Sequence, residues 1–387
     1  MKIAILADNF PAPGRPRYVF VQQIVFALVD MGHQVSVIAP QSITHAWLRG
    51  EKLLPTHSVE KTMQSNTFDV YRPYDITFGN GHRWLYRLVK PFCERGINRS
   101  LSKIKPDILY GHFWHSAYKL KNFALKYKIP LFVACGEGDD AMEYLESTLS
   151  QGEKKQFVDL VKGVICVSSE NQRLSVQLGL IERDKTIVLP NSVDTQQFRP
   201  YIEKDLYRKL HIEEDDFVVL FVGGFIKRKG PDKLVAAVES LNDKHIKLIF
   251  IGKPKGGDVV DPVSDQIVFK SSCDHEMLPP FYNIADVFVL PTLREGCSNA
   301  IIEALSCGVP VVSSDRSFNH DILHDENSIL VDPESVEEIA NAIFTLKNDR
   351  KLYNEKKTYV MAHCGQYNIK ERARRIMEFI DKMLADK

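Results

Sequence analysis

Two series of short aliphatic and β-branched runs, separated by longer amphipathic stretches, set the tightest limit on how this chain can fold. "KIAILA", "QVSVIAP", "DILYGH", "PLFVACG" and "GVICVSS" form the first series, with helical patterns such as "VFVQQIVFALVDMGH" between them. "FVVLFVGG", "KLIFIG", "QIVFK", "DVFVLP" and "VPVVSSD" form the second. Runs this continuously apolar read as parallel strands buried on both faces. The segment "IVLPNSVDTQQFRP" at 187–200 breaks the rhythm between the two series. A chain of 387 residues also exceeds what one hydrophobic core usually holds. The expectation is an α/β protein of two doubly wound, Rossmann-like domains joined near 190–200 and facing across a cleft, with ligands at the carboxyl ends of the strands.

Composition narrows the function. Fifty basic and fifty acidic residues leave no net charge, which argues against general nucleic-acid binding. The seven cysteines are scattered, with no zinc spacing, and read as free thiols in a reducing cytoplasm. "MKIAILADNF" stops being apolar at Asp8, so it reads as a strand rather than a signal peptide. No stretch approaches the roughly 20 apolar residues of a membrane span, so any membrane contact is expected to be peripheral.

The chemistry concentrates in "PTLREGCSNAIIEALSCGVPVV" at 291–312. A strand ends at Pro291, a turn follows, and a short helix capped by Ser298 or Asn299 is stopped by Gly308 and Pro310. The free amides of that first turn, with the helix dipole, suit a phosphate. Glu295 and Glu303 would repel a bare phosphate but accept from hydroxyl pairs, so a ligand bearing both phosphates and sugar diols satisfies both demands. As isolated carboxylates, a helix-start residue and a solvated helix residue explain them equally. The second element, "FVGGFIKRKG" at 221–230, brings Lys227, Arg228 and Lys229 after a glycine turn, where they could neutralise a diphosphate. On its own such a turn is more often a hairpin or a solvated loop.

Together these segments resemble the retaining GT-B glycosyltransferases of family 4. That family's Pro-Ser-x-x-Glu-Gly-x-x-Asn, then Glu-Ala and Gly-x-Pro-Val-Val, stands here as Pro291, Thr292, Glu295, Gly296, Asn299, Glu303, Ala304, Gly308, Pro310, Val311 and Val312. "VLPNSVDTQQFRP", "FYNIADVFVLP", "GHQVSVIAP" and "KPDILYGH" extend the resemblance over nearly the whole chain. It implies an acceptor-binding domain at 1–190, a nucleotide-sugar domain at 191–365, and a C-terminal helix at 366–387 packing back toward the first domain. It also implies roles: Glu295 accepts from donor-sugar hydroxyls, backbone amides from Gly296 through Cys297 and Ser298 to Asn299 face sugar and phosphates, and Glu303 holds the ribose diol. Lys229 would contact the β-phosphate, and His112 would lie near the transferred sugar. Read from residues alone, His112 is a core or strand-end histidine, and the aromatics of "HFWH" are core packing.

The chain also departs from the family pattern. Gly224 stands where many relatives have a phosphate-binding arginine, which leaves Lys227 or Arg228 to replace it. The family's His-Gly-x-Asp gives way to Gly136, Glu137, Gly138, Asp139 and Asp140, making Glu137 and Asp139 acceptor-side candidates. The usual glycine pair near the N-terminus is reduced to Gly14, beside Arg15 and Arg17, which face an anionic ligand or solvent. The resemblance implies transfer of a hexose-type sugar from a nucleoside diphosphate donor, UDP foremost, to a glycan or lipid-linked glycan in cell-surface polysaccharide synthesis. It implies retained configuration, no metal and no cofactor, the nucleotide sugar being a co-substrate. A nucleotide-dependent oxidoreductase is disfavoured because "ILADNFPAPG" lacks GxGxxG, and a catalytically silent GT-B subunit is the competing reading. Between Arg72 and Lys128 stand twelve Lys/Arg against three acids. Arg83, Arg87, Arg95, Arg99 and Lys103 recur at multiples of four, next to Trp84, Tyr86 and Phe92. That stripe is either a solvated face or a peripheral contact with an anionic inner leaflet.

Overall fold

The computed structural model describes residues 1–12, 15, 18–77, 83–254 and 258–385, leaving out the side chains of 83–88, 139 and 140. It separates into two compact units, one of residues Met1–Val167, Asn171–Leu189 and Ala373–Lys387, the other of Ser168–Glu170 and Pro190–Arg372. Gly14 and Arg17 lie outside the described residues, as do the side chains of Arg83, Trp84, Tyr86, Arg87 and Asp139.

Unit 1 carries β1 (Lys2–Leu6), β2 (Gln34–Ile38), β3 (Gln41–Ser42), β4 (His57–Lys61), β5 (Thr67–Tyr71), β6 (Tyr74–Asp75), β7 (Ile108–His112), β8 (Leu131–Cys135), β9 (Val161–Cys166) and β10 (Thr186–Val188). Eight of them form one sheet in the order β10-β9-β8-β7-β1-β2-β5-β4, while β3 and β6 pair on their own. Every pairing in the large sheet is parallel except that of the edge hairpin, β4 with β5. The central strands β7 and β8 are buried at all five positions, as a parallel strand covered on both faces must be. β4 instead alternates exposed and half-buried residues. Strand order reverses between β1 and β7, so the chain leaves the sheet there in opposite directions and opens a crevice beyond Leu6 and His112.

Unit 2 carries β11 (Phe217–Val222), β12 (Ile246–Ile251), β13 (Ile267–Ser271), β14 (Val287–Leu290), β15 (Val311–Ser314) and β16 (Ser328–Val331), in the order β13-β12-β11-β14-β15-β16. All five pairings are parallel. Its reversal lies between β11 and β14, whose carboxyl ends lead into "GGFIKRKG" and "PTLREGCSN". The architecture is GT-B: two doubly wound, Rossmann-like units.

Two close approaches fix these sheets to their helices. In unit 1 a Cβ on Gly111 would fall 2.4 Å from Ala117 Cα, so the helix Trp114–Tyr127 rests directly on the β7 backbone. A Cβ on Gly163 would meet the Phe379 ring at 2.8 Å, which seats the C-terminal helix Ile369–Ala385 on β9. Because the neighbour of Gly111 is backbone, no rotamer change relieves a larger side chain there. Gly111→Val is expected to destabilise unit 1 by about 3 kcal/mol or more, read in a urea titration as an earlier transition of unit 1 with that of unit 2 unmoved.

Candidate active site

In unit 2 the site is assembled by one close backbone contact. The basic residues form a single 3-10 turn, Lys227–Lys229, which ends at Gly230 with φ 72°. A Cβ on Gly230 would lie 2.5 Å from the Pro291 carbonyl oxygen, so only glycine lets the loop after β11 touch the loop after β14. The contact is then stitched by hydrogen bonds. Leu293 donates its amide to the Arg228 carbonyl at 2.8 Å, and Thr292 Oγ1 lies 3.2 Å from the same oxygen.

This brings Lys229 and Glu295 together although 66 positions separate them. Lys229 Nζ donates to Glu295 Oε1, Arg228 Nη1 stands 3.5 Å from that oxygen, and Thr292 Oγ1, whose one proton goes either here or to the Arg228 carbonyl, lies 3.1 Å from it. Arg228 also donates to the Arg294 carbonyl. Glu295 Oε2 makes no hydrogen bond to a described residue. The sequence offers no sign that Lys229 and Glu295 contact each other, and the structure pairs them.

The helix that follows spans Asn299–Ser306 with Ser298 at its N-cap, but neither Ser298 nor Asn299 caps it through a side chain, contrary to expectation. The amides from Gly296 to Asn299 donate to no described residue, and the buried Asn299 Oδ1 has no hydrogen-bond partner. The result is a group of open donors at the positive end of a helix. Burial pushes the Cys297 thiol up to about 12, so it stays protonated. The Cys297 carbonyl accepts from Asn191 Nδ2 at 3.1 Å, which ties the Pro190–Asn191 segment to this loop. Glu303 is only 4% exposed, with Oε1 2.8 Å from His275 Nε2 and Oε2 accepting from Tyr282 O–H at 2.8 Å. Burial, and then the Glu303 charge, hold the Tyr282 phenol well above its usual range. Neither His275 nor Tyr282 was a candidate in the sequence, because one lies before and one within the short helix Pro279–Ile284, remote in chain from Glu303.

Gly224 lies two residues past β11, its carbonyl accepting from the Ile226 amide at 2.9 Å. One potential metal group occurs among the described residues, Asp215, Asp216 and His245. These precede β11 and β12 and so lie at the amino-terminal ends of the strands, opposite the carboxyl ends that carry Lys229 and Glu295.

In unit 1, His112 ends β7 and is 8% exposed, packed against Phe20 at 5.4 Å and Phe113 at 4.7 Å between ring centroids. Trp114 is fully buried core. Glu137 turns out to hold backbone: Oε1 accepts the Trp114 amide at 2.6 Å and Oε2 the Gly136 amide at 3.1 Å. It thereby caps the helix Trp114–Tyr127, whose N-cap residue Phe113 sits at φ 81° with no side-chain cap. Asp139 begins the helix Asp139–Thr148. Arg15 donates to the Lys52 carbonyl at 2.7 Å and stands 3.5 Å from Glu51, lining a cavity of about 460 Å³ with Asp8, Asn9, His45, Asp75 and Lys119. Burial pushes the Asp8 carboxyl up, but Lys119, 2.8 Å away, and His115 more than offset it and hold it below its ordinary value. Asp8 and Lys119 were not candidates either; the signal was the "LAD" that ends β1 at the reversal point.

Comparison with known proteins decides the class. The family model described as Glycosyltransferase Family 4 matches residues 19–197, and the one described as Glycosyl transferases group 1 matches residues 203–361. The chain belongs to these glycosyltransferases. It is 24% identical over 364 residues, 90% of each chain, to a Bacillus subtilis protein named for teichuronic acid biosynthesis, glycosyltransferase TuaC. It is 25% identical over 239 residues, 58% of this chain and 61% of the other, to the Escherichia coli UDP-Gal:alpha-D-GlcNAc-diphosphoundecaprenol alpha-1,3-galactosyltransferase. Among solved structures, Anabaena HepE in complex with UDP-glucose superposes with TM-score 0.76 at 17% identity, covering 99% of this chain and 100% of that one. The sucrose-phosphate synthase of Thermosynechococcus elongatus gives TM-score 0.76 at 19% identity, covering 100% and 99%.

Glu137 supplies a pH signature. Burial raises its carboxyl from 4.5 to about 7 against the lowering effect of the amides it accepts. Across that window the folded chain keeps a proton that the unfolded chain releases, so this group's contribution to stability falls as pH rises from about 4.5 to about 7. Glu137→Gln should remove that slope, of the order of 3 kcal/mol, seen as a smaller change in the urea midpoint of unit 1 between about pH 5 and about pH 8.

Proposed function

We propose that this glycosyltransferase moves a hexose-type sugar from a nucleoside diphosphate donor, with UDP as the nucleotide, to a hydroxyl of a glycan or lipid-linked glycan in cell-surface polysaccharide synthesis. Transfer proceeds with retained anomeric configuration and without a metal. The observation that carries this reading is the cluster at the unit 2 reversal point, where Lys229, Arg228 and Glu295 adjoin the open amides of Gly296 to Asn299.

Each part matches a part of such a donor. Lys229 has three N–H donors and gives one to Glu295, so the others reach diphosphate oxygens while the ion pair persists. Lys229, Arg228 and the helix N-terminus together stabilise the charge that grows on the departing diphosphate. Glu295 Oε2 accepts from sugar hydroxyls. Each oxygen of Glu303 keeps a lone pair beyond the bonds from His275 and Tyr282, enough for the ribose diol. With the leaving group held on one face, the acceptor hydroxyl attacks from that same face and a phosphate oxygen takes its proton. The E. coli relative is named for a UDP-galactose donor and a diphosphoundecaprenol acceptor, and HepE was solved with UDP-glucose, which supports the UDP and lipid-linked assignments.

No described helix is long and apolar enough to cross a membrane. The enzyme works in the cytoplasm against an anionic inner leaflet. Arg95, Arg99 and Lys103 support that placement: they are exposed on the helix Arg83–Ile104 beside Phe92, without an ion pair to any described residue.

Isothermal titration tests the donor site. Lys229→Ala should weaken UDP by about 1.5 to 3 kcal/mol, the value of a charge-assisted hydrogen bond, and leave uridine unchanged, whereas Glu303→Ala should weaken both. UDP binding untouched in both variants would overturn the site. Turnover should survive exhaustive chelation, and NMR of the product should show the donor's anomeric configuration; an inverted product, or activity restored only by manganese, refutes the mechanism.

A further inference from the structure

We infer that the helix Ile43–Arg49 inserts into an anionic lipid surface and holds the 460 Å³ cavity of unit 1 at that surface. The inference deepens the proposed lipid-linked acceptor and rests on it. The helix is firmly seated. Ser42 caps it by accepting the His45 amide at 3.2 Å, Gly50 ends it at φ 62°, and Thr44 Oγ1 donates to the Thr77 carbonyl at 2.6 Å.

Its faces are the reverse of those of a helix made for water. The side toward the protein presents His45, Ala46 and Arg49 to the cavity. The outer side leaves Trp47 80% and Leu48 70% exposed, with Ile43 at 36% and Leu53 just beyond at 41%. An apolar face turned to solvent on a well-ordered element marks an interaction surface. The charges around it select the partner. Arg49 and Lys52 pair with no described acid, and Glu51, the one acid from Ile43 to Leu53, is held by Arg15. Tryptophan and leucine on a short helix, with the exposed Arg49 at its end and Lys52 just past it, are what a phospholipid headgroup region accommodates: the indole and leucine enter the acyl boundary and the cations at the rim meet the phosphates. A second copy of the chain would bring the same positive rim against itself. At 1.5 Å per residue the helix is about 10 Å long, enough to lie in the interface and too short to span it.

The consequence for the acceptor is geometric. Asp8, Asn9 and Asp75 give the cavity polar groups that sugar hydroxyls need, and the helix that walls it carries the lipid contact. A glycan on a membrane lipid meets polar lining and bilayer at once. The strand β3 that leads into this helix pairs with β6, and the basic helix Arg83–Ile104 packs there too, a Cβ on Gly96 falling 2.9 Å from Pro73 next to β6.

Co-sedimentation of the full chain with phosphatidylglycerol–phosphatidylcholine vesicles tests this against phosphatidylcholine alone. The unaltered protein should partition to the anionic vesicles with a blue-shifted tryptophan emission, and Trp47→Phe should abolish the shift. Trp47→Ser with Leu48→Ser should lower partition by about tenfold or more while UDP binding by titration stays as before, which separates loss of docking from loss of fold or of the donor site. Unchanged partition of the double variant, an unshifted Trp47 emission, or a dimer in analytical ultracentrifugation that the double variant dissolves without any vesicle binding would overturn the inference. Absence of UDP binding by the unaltered protein would instead refute the donor reading and leave this one standing.

Discussion

A missing side chain organises unit 2. At Gly230 the backbone takes a left-handed turn against the Pro291 carbonyl, at a distance no Cβ could share. The pairing of Lys229 with Glu295 depends on that approach. The approach lets Arg228 offer its carbonyl to Thr292 and Leu293, and those bonds hold the loop that carries Glu295 under the Lys229 ammonium. The parallel sheet contributes the rest, because reversal of strand order between β11 and β14 leaves their loops as neighbours with no strand crossing between them.

The same economy of position governs the carboxylates. Glu295 is surrounded by cations and a hydroxyl at one oxygen, and Glu303 is buried with one protein partner per oxygen. A buried carboxylate without such partners would be costly to keep ionised. These partners satisfy each carboxylate only in part, so each keeps the capacity to accept a hydroxyl. Glu137 in unit 1 shows the contrasting use. Its oxygens end on the amides of Trp114 and Gly136, and it stabilises the irregular backbone at Phe113 that a capping side chain at that residue would otherwise have to support.

What could be read from the sequence follows burial. β1, β7, β8, β11, β12 and β14 are continuous apolar runs because both faces are covered, so their composition alone marks them. β4 and β5 alternate at the edge, "HSVEK" and "TFDVY", and carry no comparable run, while "SILV" of β16 is only four residues long. Those three, with the paired residues of β3 and β6 and the three-residue β10, which runs into the segment read as a break, were not expected. The loop of Glu295, Asn299 and Glu303 was legible as a candidate because the three sit within one short segment. The Lys229–Glu295 pair was not, since nothing local links positions 66 apart, and His275 and Tyr282 were invisible for the same reason. Trp47 illustrates a different limit: periodicity identifies an amphipathic helix but not which face meets water. The side-chain cap expected on the Asn299 helix is also missing, for Ser298 stands at the N-cap without accepting from the amides there.

Cys297 gives the proposed donor loop a reporter that needs no engineering. Its thiol is enclosed and, pushed up to about 12, almost wholly protonated near neutral pH, so an alkylating reagent needs both access and a thiolate, which only an opened loop provides. Because its carbonyl is tied to Asn191 and its neighbours carry the free amides, any ligand that orders those amides should also slow the thiol's modification. The native chain thus converts the opening of this turn into a chemical rate, legible by mass against Cys273 and Cys364, which are only half-buried.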